Sequence, residues 1–225
     1  EKIISRYKAK LISYSVNDVL NNQLVSPKHM MPILVGNKTG PIENFTSENI
    51  IFLQPTRIIS RKRIEIGFRL LLGLLKEEEL KQKLRSTPNL KITILVTGPI
   101  AAGHFDYFQK LLRRFRRLFD SIEEDFRSRL FLAFIFSELD KEEHKNRFAN
   151  AIGIPELYNI ASLILLPSKT EGRGLPIIEA TACGTPIFCR RYTPKNVYSE
   201  VIGEHLSEKE RLKVVEKQRL GLFFF

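Results

Sequence analysis

The stretch that decides the fold is Leu163-Ile164-Leu165-Leu166, then Pro167-Ser168-Lys169-Thr170-Glu171-Gly172-Arg173-Gly174, then Leu175-Pro176-Ile177-Ile178-Glu179-Ala180-Thr181-Ala182-Cys183 and, after Gly184-Thr185, Pro186-Ile187-Phe188-Cys189. Leu163–Leu166 is apolar without alternation, the pattern of a strand covered on both faces. Gly172 and Gly174 mark a turn, and Pro176 falls where the first helical turn tolerates a missing N–H. Leu175–Cys183 reads as a helix and residues 186–189 as the next strand. Two buried strands joined through a helix run parallel in one sheet.

The same alternation extends upstream. Residues 50–53 (Ile-Ile-Phe-Leu) read as a buried strand, 64–85 as one long Leu-rich helix, and 91–97 (KITILVT) as a strand closed by Gly98-Pro99. A basic amphipathic helix follows to about residue 126, then a strand at 130–136, a polar helix near 141–150 and a short helix near 155–161. Residues 208–219 close the chain as a helix. The expected class is α/β: a Rossmann-like parallel sheet flanked by helices, with right-handed crossovers. Residues 1–48, with Pro27, Pro32, Gly36, Gly40 and Pro41, read as a linker or the remnant of a preceding domain. Residues 49–206 form the sheet domain, and 207–225 a terminal helix and tail, whose end, Leu222-Phe223-Phe224-Phe225, is unusually apolar.

Composition narrows the function classes. The 225 residues are 43% hydrophobic and 27% charged, which is globular rather than disordered. Cys183 and Cys189 are the only cysteines and lack CxxC spacing, and the four histidines form no HExxH or HxH group, so no transition-metal site is expected. A reduced, cytoplasmic setting is the expectation. No apolar run approaches the roughly 20 residues of a membrane span, and no secretory signal is present. Residue 1 is Glu, so the chain is expected to be a fragment or processed product.

The net charge of +11 is uneven: residues 1–130 carry 23 basic and 13 acidic residues, residues 131–225 carry 13 and 12. The densest block, Lys110, Arg113, Arg114, Arg116 and Arg117, interleaves with Tyr107, Phe108, Leu111, Leu112, Phe115, Leu118 and Phe119 at helical spacing. The plain reading is a helix packed on the sheet with its charged face in water. The sharper one is contact with an anionic membrane surface. Nucleic acid is not expected as a partner, because no helix-turn-helix, zinc-finger or RNP-like pattern accompanies the charge.

Ligands of open parallel sheets sit beyond the carboxyl ends of the strands. Two such corners stand out, Gln54-Pro55-Thr56-Arg57-Ile58-Ile59-Ser60-Arg61-Lys62-Arg63 and residues 167–179, and neighbouring parallel strands would bring both to one edge. Arg57 offers a planar fork and Lys62 a point charge for phosphate oxygens. Gly172 and Gly174 allow close backbone approach, and the helix start beyond them favours an anion. Glu171 and Glu179, eight positions apart, suit the hydroxyls of sugar rings. Cations, helix terminus and acids together fit a diphosphate between two sugars, the skeleton of a nucleotide-sugar. Taken singly, the residues have plainer readings: surface cations, turn glycines, a glutamate on a solvated helix face, or a carboxylate pair that lacks further metal ligands.

Residues 168–186 (SKTEGRGLPIIEATACGTP) resemble the signature of the GT4 family of retaining glycosyltransferases, an E-x7-E motif of the form EGFGLP…EA-x-A-x-G-x-P. Glu171, Gly172, Gly174, Leu175, Pro176, Glu179, Ala180, Ala182, Gly184 and Pro186 match it. The segment from Thr56-Arg57 to Lys62 resembles that family's diphosphate loop. The resemblance covers about residues 50–190 and implies the C-terminal, donor-binding half of a GT-B fold. It implies that Arg57 and Lys62 hold the donor diphosphate, that Glu171 contacts the transferred sugar, that backbone N–H groups at 172–175 support it, and that Glu179 binds the nucleotide ribose. No metal or other cofactor is implied. Arg173 stands where the family usually has Phe, either to contact phosphate or acceptor or to point outward, and Arg63 where it usually has Gly.

The expected function is therefore transfer of a sugar from a nucleotide-diphosphate-sugar to a hydroxyl acceptor, a saccharide or lipid-linked glycan. Glu171, Arg57 and Lys62 would serve the chemistry, and Arg57, Lys62, Gly172, Arg173, Gly174, Leu175 and Glu179 would hold the donor. The family's N-terminal acceptor-binding domain is expected to lie outside these 225 residues. The alternatives are a GT-B phosphorylase using inorganic phosphate, and a non-catalytic module of this fold that binds a partner or membrane.

Overall fold

The computed structural model describes residues 33–35, 38–40, 49–98, 100–134, 154–207, 209–210 and 222–224. In chain order the elements are β1 (Ile33–Val35), β2 (Lys38–Gly40), β3 (Asn49–Gln54), α1 (Glu65–Leu74), α2 (Glu78–Ser86), β4 (Lys91–Val96), α3 (Phe105–Asp120), α4 (Glu124–Arg127), β5 (Leu130–Phe134), α5 (Ile154–Ile160), β6 (Leu163–Leu166), α6 (Leu175–Cys183), β7 (Ile187–Cys189), α7 (Lys195–Ile202) and β8 (Leu222–Phe224). The described strands form one sheet in the order β2-β1-β5-β4-β3-β6-β7-β8. From β5 to β8 every pairing is parallel, and β1 and β2 add antiparallel at one edge. The expected α/β, Rossmann-like sheet is what the chain forms.

Strand order explains where a ligand can sit. From β3 the chain steps to β4 and β5 on one side, then returns to lay β6 and β7 on the other. The boundary between β3 and β6, paired Phe52 to Leu163 and Leu53 to Ile164, is thus the topological switch point. Helices leaving its two strands go to opposite faces, Phe68 and Leu71 to one core and Ile177 and Ala180 to the other, the arrangement in which open sheets bind ligands at the carboxyl edge.

Both faces of the sheet are covered, which is why its strands lack alternation. Ile51, Leu53, Leu95, Phe131 and Ala133 face one core with Leu157, Tyr158, Ile177, Ala180 and Tyr198. Phe52, Ile92, Ile94, Val96, Leu130 and Leu132 face the other with Phe68, Leu71, Leu84, Phe108, Leu111 and Phe115. Helix α3 buries Phe108, Leu111, Phe115 and Phe119, one stripe at spacings of three and four, and leaves its cations outside. Phe68 of α1 meets Phe115 edge-on at 5.3 Å. Tyr107 donates from its hydroxyl to Glu65 at 2.7 Å and accepts from the Ile64 N–H at 3.0 Å. Burial and the adjacent carboxylate push that phenol well above its usual range, so it stays a donor.

Several elements differ from the sequence reading. The single helix expected over 64–85 is two. Lys76 and Glu77 donate to Gly73 and Leu74, three residues back, and Glu77 is extended, so the chain turns and α2 places Leu84 in the core. The basic helix stops at Asp120, where the Ser121 hydroxyl donates to Leu118 O at 2.6 Å, and α4 is separate. Helix α7 was not expected. Residues 33–40, read within a linker, contribute β1 and β2, and the apolar end contributes β8 beside β7. Pro99, residues 135–136, the helix expected over 141–150, and 208–219 apart from Lys209 and Glu210 lie outside the described residues.

Gly98, just past β4, lies against the backbone of Thr56 and Arg57. A Cβ there would come closer than 3.0 Å to three of their main-chain atoms, which cannot yield as a flexible side chain would. Gly98→Ala is expected to lower stability by about 2–3 kcal/mol through overpacking. Gly73→Ala, whose Cβ meets nothing within 4 Å, is expected to be neutral or to gain up to about 1 kcal/mol from helix propensity. Urea midpoints of the two variants check the contrast.

Candidate functional site

Three β-to-α corners meet at the carboxyl edge. After β3, the buried amide of Gln54 donates from Nε2 to Lys62 O at 3.0 Å and folds residues 55–62 back over the strand end. A 3-10 turn, Ser60–Lys62, follows and closes on Arg63 with φ 51° and ψ 49°. Arg63 is the one non-glycine among the described residues in the left-handed region. This explains why the resembled family places Gly here: a side chain at this φ carries about 1–2 kcal/mol of strain.

The corner after β6 is laced to the first. Lys169 N–H donates to Arg61 O at 2.8 Å, and Arg61 Nη1 donates to Thr170 O at 2.8 Å. The third corner, after β7, joins through Glu171 N–H to Thr193 O and Thr193 N–H to Lys169 O, both 3.0 Å. At the centre Lys62 Nζ donates to both oxygens of Glu171, at 2.6 and 2.7 Å. The two side chains are only 13% and 7% exposed. The structure thus brings Lys62 and Glu171 into direct contact, as an ion pair that the sequence reading, which gave the two residues separate ligand groups, did not foresee.

Beyond Glu171 the chain turns into α6. Gly174 caps the helix with φ 61°, Pro176 supplies no N–H, and Ile177 N–H goes to Gly174 O at 3.0 Å. Among the described residues nothing accepts a hydrogen bond from the backbone N–H of Gly172, Arg173, Gly174 or Leu175. Four successive donors thus stand at a helix N-terminus, on a turn whose residues 172, 173 and 175 are exposed, a place where the helix dipole favours an anion.

Arg57 is exposed and pairs with no described residue, so its guanidinium is free for a ligand. Arg173 is likewise exposed and unpaired among the described residues. Glu179, inside α6, is half-buried and accepts from the hydroxyl of fully buried Tyr158 at 2.6 Å. That phenol, on α5, orients the carboxylate and went unnoticed in the sequence because Tyr158 reads there only as one more core position. Gly98 was missed for a similar reason: it acts through a backbone contact with Thr56 and Arg57, distant in sequence. Among the described residues no group of three or more His, Cys, Asp or Glu could hold a metal, and no helix is long and apolar enough to cross a membrane.

Comparison with known proteins bears on the same segment. Residues 139–207 match the family model of glycosyl transferases group 1. Over 51 residues, 23% of this chain and 13% of the relative, the chain is 43% identical to the O-antigen chain mannosyltransferase B of Escherichia coli. Over 155 residues, 66% of this chain and 33% of the relative, it is 30% identical to the mannosylglucosylglycerate synthase of Petrotoga mobilis. The solved structure of Anabaena HepE in complex with UDP-glucose aligns with a TM-score of 0.48 and 17% identity, covering 96% of this chain and 48% of that one. The chain thus spans a third or less of the length of these curated relatives. The matched segment contains Glu171, the amide turn and Glu179, so the motif and the family match fall on the same corner of the sheet.

The buried pair gives a stability test. Lys62→Ala strands a buried carboxylate and is expected to cost about 3 kcal/mol, part of which Glu171→Gln in the same chain restores. Arg57→Ala, at an exposed unpaired position, is expected to stay within about 0.5 kcal/mol of wild type. Denaturant unfolding of the four proteins checks this.

Proposed function

We propose that this chain is the donor-binding half of a retaining, GT4-like glycosyltransferase of GT-B architecture, which moves a sugar from a nucleotide-diphosphate-sugar to a hydroxyl acceptor. The observation that carries the reading is the Lys62–Glu171 contact at the switch point, beside four unclaimed amides and the free Arg57. In the transfer, the bond from the sugar's anomeric carbon to the phosphate oxygen breaks. A new bond to the acceptor oxygen forms, and the acceptor's proton leaves. Charge gathers on the departing diphosphate, where Arg57, Lys62, Arg173 and the amides of 172–175 meet it in place. Glu171 faces the sugar hydroxyls and Glu179, oriented by Tyr158, the ribose. The proposal assigns no metal or other cofactor, because protein cations and amides meet the leaving charge. The acceptor would be a saccharide or lipid-linked glycan held by a separate N-terminal half, and the setting the cytoplasm. The family match at 139–207 supports the class, and the names of both curated relatives point to a mannosyl or related hexosyl group.

Calorimetric titration of the chain with UDP and GDP tests this. Binding of at least one is expected, with about a tenfold loss in Arg57→Ala while its melting temperature holds. Silence toward both nucleotides defeats the reading.

We propose peripheral membrane contact through α3. Its apolar stripe is spent on the core, so contact would be electrostatic rather than insertive. Lys110, Arg113, Arg114, Arg116 and Arg117 are exposed, and Phe105, 57% exposed, stands at the helix start. Each cation near an anionic leaflet contributes about 1 kcal/mol. Sedimentation with vesicles should show binding to phosphatidylglycerol-containing but not pure phosphatidylcholine membranes. Lys110→Glu with Arg114→Glu and Arg117→Glu should abolish it, and undiminished binding by that variant rejects the contact.

A further inference from the structure

Tyr192, in the corner after β7, has no part in the site as described so far. It is 1% exposed, and its hydroxyl has no hydrogen-bond partner among the described residues. The ring is fixed: it meets Tyr198 edge-on at 5.1 Å, and the Arg191 guanidinium lies 5.2 Å from the centre of the Tyr198 ring. The Oη points at Gly174. A Cβ on residue 174 would fall far closer to this oxygen than any real contact allows, and 3.1 Å from the ring carbon that bears it. Gly174 is therefore needed twice, for its φ of 61° and because the Tyr192 hydroxyl occupies the space that a side chain would fill.

A buried phenol without a partner carries a desolvation penalty that an apolar ring would not. Burial, and then the nearby Cys189 and Glu171, raise its pKa well above the usual phenol value, so the O–H is kept as a donor. Gly174, which the hydroxyl abuts, carries one of the four unclaimed N–H groups of residues 172–175. The unused hydroxyl and the unused amides thus share one residue between them.

Resting on the proposed donor site, we infer that Tyr192 is a further binding residue of that site, whose hydroxyl completes the amide turn and donates a hydrogen bond when a phosphate anion occupies it. The ligand-free protein holds the donor in reserve, and the anion makes use of it. The cations and the amide turn attract any diphosphate. Tyr192 adds one directional donor, so its contribution appears in affinity and not in the fold.

The test uses Tyr192→Phe, which removes one oxygen and keeps the ring. Inorganic pyrophosphate and UDP are titrated into both proteins by calorimetry, and unliganded melting temperatures are recorded. The inference expects an unliganded melting temperature equal to or above wild type, since a partnerless hydroxyl is lost, and affinity for both probes reduced about tenfold. Equal affinity in the two proteins overturns it. A fall of several degrees in the unliganded melting temperature also overturns it, because the hydroxyl would then be structural. Failure of the wild type itself to bind either probe strikes the donor-site reading instead, so the two failures are told apart.

Discussion

The site depends on one interaction, the ion pair of Lys62 and Glu171 at the ends of β3 and β6. Neither residue reaches the other through local structure, since 109 positions separate them. Parallel pairing of the two strands brings their ends together, and the bond from Arg61 to Thr170 together with that from Lys169 to Arg61 fixes the height of the loops. Desolvating two charges offsets most of their attraction, so a pair this buried contributes little net stability. What it supplies is geometry. It fixes the corner before α6 against the corner before α1, and hence where the helix N-terminus points.

A sequence shows this arrangement unevenly. The run from Leu163 to Cys189 was legible to the residue in β6 and α6, because burial on both faces removes polar alternation and because Gly174 and Pro176 punctuate a helix start without ambiguity. That the corners after β3 and β6 share one edge also followed, from the rule for parallel sheets, whereas the direct pairing of the two strands is a finding of the structure. Lys62 and Glu171 were legible as polar residues in the right loops but not as partners, since pairing is a property of register and rotamer. The break at Leu75 was hidden inside a Leu-rich run, where apolar spacing continues through a turn that only hydrogen bonds three residues back reveal. Helix α7 carries Val197, Tyr198, Val201 and Ile202 at helical spacing but is only eight residues long, and β1, β2 and β8 are three residues each, too short for periodicity to register.

Two departures from the resembled signature have different physical weight. Arg63 replaces a usual glycine at a backbone position that favours glycine, so the chain carries strain one residue beyond Lys62. Its Nε lies 3.8 Å from Glu65, the carboxylate that also receives the Tyr107 hydroxyl, so the side chain joins a small polar network at the start of α1. Arg173 replaces a usual Phe at an exposed position where backbone geometry makes no demand. The first substitution bears on how firmly the β3 corner is held, the second only on the charge that a ligand meets.

Cys189, 4% exposed at the end of β7, has its thiol pushed up to about 12 by burial and by the Glu171 carboxylate, so it contributes no thiolate. Tyr192 and Tyr198 are held in their neutral forms by burial as well. Glu171 is paired with Lys62 at contact distance. Beside that pair, a ligand meets the free guanidinium of Arg57, the exposed Arg173, and the partial positive charge of four amides at the start of α6. Ion pairing inside the fold therefore shapes the charge at this edge: Lys62 offsets Glu171, Glu179 is tied to the Tyr158 hydroxyl, and the donors at the rim favour an anion.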